Sequence, residues 1–232
     1  MIDLHTHTIF SDGDLIPAEA ARRAAVAGYR AMAFTDHADS SNLSLILENV
    51  SRVSEGFSVY TDIELFSGVE LTHVPPGLIA ELTCQAREMG AEIVVVHGET
   101  IVEPVAVGTN LAAINARVDI LAHPGLIRPE EVALAAEKNV ALEITTRKGH
   151  SLTNGHVAAL AREFKASLVI NNDAHTVGDM LSKDMRKKVA LGAGLTEKEF
   201  RKAEQNSLEI VQRIMRKRIE RLKRANGQTA QA

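Results

Sequence analysis

The chain has 232 residues, of which 45% are hydrophobic and 24% are charged, a composition typical of one globular domain with a sizeable core. Its net charge of −4 predicts no general affinity for nucleic acid or anionic membranes, and its single cysteine excludes an internal disulfide and zinc sites built from several thiolates. A metal ion here would need imidazole and carboxylate ligands, and the chain has nine histidines.

Short apolar runs alternate with helical patterns along the chain. Seven strands are predicted, at residues 2–5, 31–35, 63–70, 92–97, 119–123, 140–145 and 167–172. Helices are predicted between them, at residues 17–28, 41–54, 77–90, 108–116, 129–139 and 153–165. This alternation indicates a parallel sheet covered by helices, either an open doubly wound sheet or a closed barrel. No glycine-rich phosphate loop follows a strand, which weakens the open nucleotide-binding version.

The C-terminal part differs from the rest. The pattern of residues 196–224 predicts a helical extension that packs on the domain formed by the preceding strands and helices. This extension has an apolar stripe at helical spacing. Its last turns are basic, because residues 213–224 contain seven Lys or Arg and one Glu. Residues 225–232 are small and polar, and we expect them to be disordered. The members of the stripe are Leu208, Val211, Met215, Ile219 and Leu222.

Location and assembly are only loosely constrained. The N-terminus has no basic region followed by an apolar run, and no apolar stretch reaches the roughly 18 residues that span a bilayer. We therefore expect no membrane association and a cytoplasmic protein. The stripe on the last helix would suit an interface, so a homo-oligomer stays open.

Histidines and carboxylates stand where the predicted strands end. Six of the seven strands end in such residues, and the exception is the sixth, which ends at Thr145. Because the carboxyl ends of parallel strands meet at one rim of a barrel, we expect these side chains in one pocket. The residues are His5, His7, His37, Glu70, His97, His123, Asp173 and His175, with Asp12 as a ninth candidate from a loop.

These residue types indicate a metal centre. Imidazole and carboxylate together suit zinc, manganese or iron, and one ion uses three or four protein ligands, so nine candidates indicate two or three divalent ions. Several ions in one cleft clamp a phosphoryl group and generate a hydroxide nucleophile near neutral pH. His73, His150 and His156 fall outside the pattern. We interpret these three as structural, although His73 and His150 lie on the rim side.

The same residues resemble the motifs of the polymerase and histidinol phosphatase (PHP) family. The resemblance follows the family's order and covers residues 1 to about 190. It implies a distorted seven-stranded (β/α) barrel of the TIM-like type, with a trinuclear metal site in a catalytic domain over residues 1–195. The motifs are His5-Thr6-His7, Ser11-Asp12-Gly13, Thr35-Asp36-His37, Gly68-Val69-Glu70, His97, Ala122-His123-Pro124 and Asn172-Asp173-Ala174-His175.

The resemblance also implies which residues hold each ion. The three expected groups are His5, His7, Glu70 and Asp173; Glu70 as a bridge with His97 and His123; and Asp12, His37 and His175. One departure from the family pattern is an acid two residues after the ligand His97. This residue, Glu99, either orients a ligand or a metal-bound water or is simply solvated.

Both the metal chemistry and the resemblance indicate hydrolysis of phosphate esters, by a hydroxide that bridges two ions. The candidate catalytic residues are Glu70, Asp173 and His175. Phosphate also needs cations, and arginine grips it through paired hydrogen bonds. The candidate cations are Arg147, Lys148 and Arg128, which follow the sixth and fifth strands.

Several functions compete. The expected substrate is a phosphorylated small molecule, with histidinol phosphate as the family-typical example. A nuclease or nucleotide phosphoesterase stays open because of basic residues 213–224, although no aromatic stacking platform is evident. A regulatory module without catalysis should have lost ligands, and all nine positions are filled. A mononuclear amidohydrolase would use fewer ligands and a carbamylated lysine, and no lysine ends a predicted strand.

Overall fold

Parallel strands form the centre of the molecule. The computed structural model describes the backbone of residues 1–229 and the side chains of residues 1–221 and 223. The strands run in the order β1-β2-β4-β5-β6-β7-β8, and the short β3 continues β2 beside β4. They are β1 (Ile2–Asp3), β2 (Ala31–Phe34), β3 (His37–Ala38), β4 (Glu64–Leu71), β5 (Ile93–His97), β6 (Ile120–Ala122), β7 (Ala141–Thr145) and β8 (Leu168–Asn171). The seven-stranded TIM-like barrel is confirmed.

Helices surround the strands and begin at recognisable signals. Pro17, Pro76 and Pro129 stand in the first turns of three helices, where the missing N–H costs nothing. The helices are α1 (Pro17–Val26), α2 (Leu43–Phe57), α3 (Pro76–Glu88), α4 (Thr109–Asn115), α5 (Pro129–Lys138), α6 (Asn154–Phe164), α7 (Lys183–Gly192) and α8 (Glu197–Thr229). None of the helices described combines the length and the apolar character that crossing a membrane requires.

Side chains alternate between the inside and the outside of the barrel. In β5, Ile93 and Val95 belong to the interior apolar cluster, whereas Val94 and Val96 pack in the shell under the helices. Because successive side chains of a strand point to opposite faces, the inward series continues to His97 at the strand end. The interior is thus apolar at the amino ends of the strands and becomes polar at the carboxyl ends.

The barrel closes between β1 and β8 through side chains and one bridge. Thr6 pairs with Ala174, and Asn171 Oδ1 accepts a hydrogen bond from the Leu4 N–H at 3.0 Å. The buried Arg186 of α7 donates to the carbonyl of Ile2 at 2.7 Å and to the carbonyl of Ile170. One guanidinium therefore ties the first and last strands together.

Helix α8 covers the amino ends of the strands. Ile210, Val211 and Ile214 are at most 7% exposed and belong to the interior cluster of the barrel. The predicted apolar stripe is partly wrong, because Leu208 and Ile219 are 37% and 48% exposed. The face that α8 buries is rotated from the stripe, and this face closes the base of the barrel.

The basic part of α8 is paired with acids at the base. Arg213 lies 2.6 Å from Asp119, and Arg218 lies 2.7 Å from Glu92. Both acids directly precede inner strands, Glu92 before β5 and Asp119 before β6. These ion pairs explain the rotation of the buried face, since they hold α8 where its arginines meet the carboxylates.

The C-terminal helices show the largest differences from the predicted elements. Helix α7 was not predicted: only its Arg186 and Ala190 are buried, so it lacks an apolar stripe. Helix α8 runs to Thr229, beyond the predicted end at residue 224 and into the segment for which we expected disorder. Residues 230–232 of that expected tail lie outside the described residues.

Truncation of Ile214, one of the α8 side chains in the interior cluster of the barrel, should destabilise the fold. Ile214→Ala should lower the free energy of unfolding by about 2–5 kcal/mol, because it leaves a cavity in the interior cluster. Denaturant unfolding followed by far-UV circular dichroism measures this change. Ile219→Ala, on the exposed side of the same helix, should stay within about 0.5 kcal/mol of the parent. Equal losses in both variants would contradict the docking of α8.

Candidate metal centre

Strand register and loop geometry bring the predicted ligands to one end of the barrel. The β3–β4 register places His37 beside Glu70. At the barrel seam, the Thr6–Ala174 bridge sets His5 and His7 next to Asp173 and His175. All nine predicted residues take part in the contacts of this cluster, with Nε2 or Nδ1 atoms facing carboxylate oxygens.

Glu70 and Asp173 are the central carboxylates. Glu70 Oε1 lies 3.2 Å from His5 Nε2, and Glu70 Oε2 lies 2.9 Å from His37 Nε2. Asp173 Oδ1 lies 3.1 Å from His7 Nε2, and its Oδ2 lies 3.6 Å from His123 Nε2. Both acids are buried, so each is surrounded by imidazoles rather than water.

A second part of the cluster opens toward the solvent around Asp12. Asp12 Oδ2 lies 3.0 Å from His175 Nε2, and Oδ1 lies 3.6 Å from His37 Nδ1. The ring of His7 stacks on the ring of His175 with centroids 4.0 Å apart. The Asp12 side chain is 51% exposed, so this part of the centre is reached from outside.

His97 and His123 form the third part, with ring centroids 4.4 Å apart. The glycines beside them allow this approach. A Cβ on Gly98 would collide with the carbonyl oxygen of Ala122, and one on Gly125 would collide with the carbonyl oxygen of Glu99. The two loops therefore pack backbone against backbone.

Two of the ligand positions have strained backbones. His123 has φ of 25° and Asp173 has φ of 52°, in a region that residues other than glycine rarely adopt. Such strain persists only where the surrounding structure enforces it, and it clusters at functional sites.

The cluster contains buried polar atoms without hydrogen-bond partners. Among the residues that the structure describes, these include His5 Nε2, both ring nitrogens of His7, His123 Nδ1 and Glu70 Oε1. A buried polar atom left unpaired costs about 1–3 kcal/mol. These unpaired nitrogen and oxygen atoms are of the types that bind metal, and a cation among them would pair with several at once.

Protonation states also suit a cation. Burial lowers the pKa of His7 to about 4, and burial together with the neighbouring His97 holds the pKa of His123 well below its usual value. Burial opposes ionisation of Glu70 and Asp173, but imidazoles led by His5 outweigh it and hold both pKa values well below the usual range. His7 and His123 are thus in the neutral form that binds divalent metal, beside ionised carboxylates. His5 differs, because the effect of its burial is outweighed by Glu143, Glu70 and Asp173, which raise its pKa well above its usual value.

His5 is oriented by an acid that the sequence analysis missed. Its Nδ1 donates to Glu143 Oε1 at 2.9 Å, which turns Nε2 toward Glu70. The same carboxylate accepts hydrogen bonds from the Asn171 side chain at 2.9 Å and from the His123 N–H at 3.2 Å. A charged residue inside the apolar strand β7 was the available signal.

The three candidate cations differ in position. Arg147 is at the centre: its Nη1 donates to the Asp173 carbonyl at 3.2 Å, and its Nε lies 3.6 Å from Asp173 Oδ2. Lys148 is exposed beside it. Arg128 is directed elsewhere, since its guanidinium pairs with Glu131 at 2.7 Å in the first turn of α5.

Other residues on the rim depart from expectation. Glu99 is half-buried, and its Oε1 accepts hydrogen bonds from the N–H groups of Gly108 and Asn110 at the start of α4. His156 is structural, with Nε2 2.7 Å from the Ile127 carbonyl oxygen. His150, interpreted as structural, instead stacks on His123 with centroids 4.2 Å apart.

The donor set fits divalent metal ions. Within the described part of the chain there are four overlapping groups in which the ligand atoms all lie within 4.8 Å of one another. They are His7, Asp12, His37 and His175; His97, His123 and His150; His5, His123 and Asp173; and His5, His7 and Glu70. Nitrogen and oxygen ligands without thiolate suit zinc, manganese or iron.

Comparison with known proteins agrees with the motifs. The PHP domain family model matches residues 3–141, more than half of the chain. An uncharacterized protein of Methanocaldococcus jannaschii is 52% identical over 200 residues, which is 85% of this chain and 92% of the relative. The DNA polymerase/3'-5' exonuclease PolX of Bacillus subtilis is 28% identical over 84% of this chain, which spans only 37% of that protein.

Two solved structures share the fold. A chain in the structure of an archaeal ribonuclease P with mature tRNA has a TM-score of 0.67 and 18% identity, covering 92% of this chain and 91% of that one. A candidate histidinol phosphatase from Listeria monocytogenes has a TM-score of 0.58 and 13% identity, covering 77% of this chain and 97% of that one. At these identities the similarity concerns the fold alone.

Loss of the Glu143 charge should weaken metal binding while the fold survives. Glu143→Gln keeps an oxygen for Asn171 and His5 but removes the negative charge beside His5 and the oxygen that accepts from the His123 N–H. We expect the affinity for at least one divalent ion to fall about 10–100-fold. Titration of the metal-free protein with zinc against a chromophoric chelator measures it. Glu131→Gln, a buried acid that faces Arg128, is the control and should bind like the parent. Equal affinities in both variants would contradict the orienting role.

Proposed function

Because the chain belongs to the PHP domain family, we propose that it is a metal-dependent hydrolase of phosphate esters, of the small-molecule phosphomonoesterase type. The observation that supports this most is the concentration of buried, unpaired ligand atoms at the carboxyl ends of the strands. A barrel rim is where parallel α/β barrels build active sites. Histidinol phosphate is the first substrate to test.

We assign three ions to the centre, of the zinc, manganese or iron class. The proposed ligand sets are His5, His7, Glu70 and Asp173; Glu70, His97 and His123; and Asp12, His37 and His175. When bound, ions in such a cluster supply Lewis acidity and activate water at neutral pH.

The catalytic residues of the proposal are Glu70, Asp173 and His175. Glu70 is suited to join the first two ion positions, since its Oε1 lies 3.2 Å from His5 Nε2 and 3.7 Å from His123 Nε2. Asp173 lies between His7 and His123 in the same way. His175 orients its ring by donating from Nδ1 to the Asp173 carbonyl at 3.1 Å, which leaves Nε2 toward Asp12 at the open side.

Arg147 is the candidate phosphate-binding residue that the contacts favour. Its side chain is 28% exposed at the mouth of the centre, and its guanidinium is already held against Asp173. A planar guanidinium fixed in this way offers paired donors to a phosphate oxygen. For Lys148 and Arg128 a role in substrate binding stays a prediction.

A nuclease or nucleotide phosphoesterase is the second candidate. The exonuclease relative and the fold neighbour from a ribonuclease P structure favour it. Against it, Arg213, Arg218 and Arg221 of α8 are paired with acids at the base of the barrel. They lie at the end opposite the centre, so they cannot guide a strand of nucleic acid into it.

A regulatory module without catalysis is the least favoured, because the ligand set is complete. Cytoplasmic location and oligomeric state stay predictions.

Substitution of the proposed bridging acid should remove more than one ion. Glu70→Gln retains the shape of the side chain but replaces an ionised, buried ligand with a neutral amide. We expect elemental analysis to find two or three ions per parent chain and at least two fewer in the variant, with nearly all phosphatase activity lost. Glu143→Gln serves for comparison, because it leaves all nine proposed ligands in place and should not remove two ions. Unchanged metal content and rate in Glu70→Gln would refute the bridge.

A phosphate-release screen tests the substrate class. We expect histidinol phosphate or another small phosphomonoester to be hydrolysed faster than a generic aryl phosphate, nucleoside monophosphates and short oligonucleotides. The screen should include Arg147→Met, in which KM for the preferred substrate should rise at least tenfold if its guanidinium binds phosphate. Faster cleavage of oligonucleotides would favour the nuclease, and a rate for histidinol phosphate no higher than that for the aryl phosphate would remove the biosynthetic assignment.

A further inference from the structure

At the outer edge of the centre, polar side chains from outside the nine-residue set meet His97. Three imidazole nitrogens meet one carboxylate there. Glu103 Oε2 lies 3.2 Å from His97 Nε2 and 3.2 Å from His73 Nε2, and Glu103 Oε1 lies 3.3 Å from His150 Nε2. Glu103 comes from the loop after β5, and His150 begins the short 3-10 helix after β7. Two loops that are far apart in sequence therefore converge on the ring of His97.

The hydrogen bonds of His97 define what its ring presents to Glu103. Its Nδ1 lies 3.2 Å from the carbonyl oxygen of Gly98. A carbonyl only accepts, so Nδ1 carries the hydrogen, and a neutral ring turns the lone pair of Nε2 toward Glu103. A lone pair and a carboxylate oxygen repel each other unless a proton or a metal cation lies between them.

The same arrangement occurs within the nine-residue set. His175 donates from Nδ1 to a backbone carbonyl at 3.1 Å, and its Nε2 faces Asp12 Oδ2 at 3.0 Å. Glu103 is related to His97 as Asp12 is related to His175. The separations also suit a shared ion, because two ligands with bonds of about 2.1 Å to one cation lie about 3.0–3.4 Å apart at octahedral to tetrahedral angles.

His150 completes the geometry. Its ring is buried and stacks on His123, and its ligand nitrogen lies within 4.8 Å of those of His97 and His123. Its Nδ1 is held at 2.8 Å from Thr100 Oγ1, so Nε2 stays directed at Glu103. The orientation of a ligand ring by a hydrogen bond to its other nitrogen is the usual device of metal-binding histidines.

We propose that Glu103 and His150 are additional ligands of the divalent cation that His97 and His123 bind. This inference rests on the proposed metal-dependent function and extends it at the second ion position. The ion is of the zinc, manganese or iron class, which mixed nitrogen and oxygen donors suit.

The exposure of the ligands adds a functional consequence. The side chains of His97 and His150 are at most 6% exposed, whereas that of Glu103 is 38% exposed on its loop. Glu103 is thus the ligand of this group that an oxyanion would replace with the least loss of packing. With an ion bound, such an acid would hold it while no phosphate ester is present.

The test uses the full-length protein, freed of metal and reloaded with Co²⁺, whose visible absorption reports ligand number. Affinities come from competition with a chromophoric chelator. Glu103→Gln and His150→Asn should each weaken one bound ion at least tenfold, leave the others within about twofold and change the visible spectrum. Glu130→Gln, which removes one exposed charge from the first turn of α5, is the matched control and should equal the parent. Far-UV circular dichroism verifies folding of each variant.

The outcomes separate the two proposals. A parent that binds three ions, with Glu103→Gln matching it in all affinities and in the spectrum, would overturn the role of Glu103 and leave the proposed function intact. Loss of an ion in Glu103→Gln but not in His150→Asn would overturn the assignment of His150. A parent chain that binds no divalent ion would overturn both this inference and the proposed function.

Discussion

Negative charge is buried at the mouth of the barrel and must be paired there. The rest of the structure meets this requirement. Glu70, Asp173 and Glu143 are each at most 2% exposed, and an ionised carboxylate in such surroundings costs several kcal/mol unless it is paired. The pairing comes from imidazoles on other strands, so each acid depends on residues far away in sequence. Correct closure of the barrel is therefore a condition for the charges to be tolerated.

The barrel meets this constraint by separating its interior into two layers. Phe66, Val95 and Ile120 fill the lower layer, and Ile214 of α8 closes it from below. Because side chains alternate along each strand, the next inward positions, such as His97, belong to the upper layer. Water is thus excluded beneath the centre, which strengthens every electrostatic contact above the apolar layer. Helix α8 contributes to the site without touching it.

Much of this arrangement was predictable because it follows from strand periodicity and strand direction. The strand-end positions of His37, Glu70 and His97 were enough to expect one pocket, and the parallel sheet brings them together. Glu143 was missed for a physical reason: it lies within a strand, where a single acid among apolar residues does not resemble a strand-end ligand. The side chain of Glu143 points to the inside of the barrel, as does that of Thr145 at the strand end. This alternation along β7 was the signal that could have identified Glu143.

Features that depend on loops or on the closed barrel could not be predicted in the same way. The contact of His150 with Glu103 requires two loops to fold toward each other, one of them through Gly149 at φ of 86°. The prediction of the buried face of α8 was wrong because Glu92 and Asp119 become neighbours only when the strands have closed into a barrel. The residue pattern of a single helix gives no information about acids that other elements contribute.

The distribution of charge explains why ion binding should precede substrate binding. At the base, arginines of α8 and acids before β5 and β6 cancel one another. At the mouth, carboxylates predominate: Asp12, Glu70, Asp173, Glu143 and Glu103 lie among imidazoles, and Arg147 supplies one compensating charge. Such a mouth repels a phosphate ester. Two or three divalent ions reverse the sign, because each brings two positive charges into a region of low dielectric. The affinity for phosphate then depends on the occupancy of the centre, and the whole-chain charge of −4 says little about it.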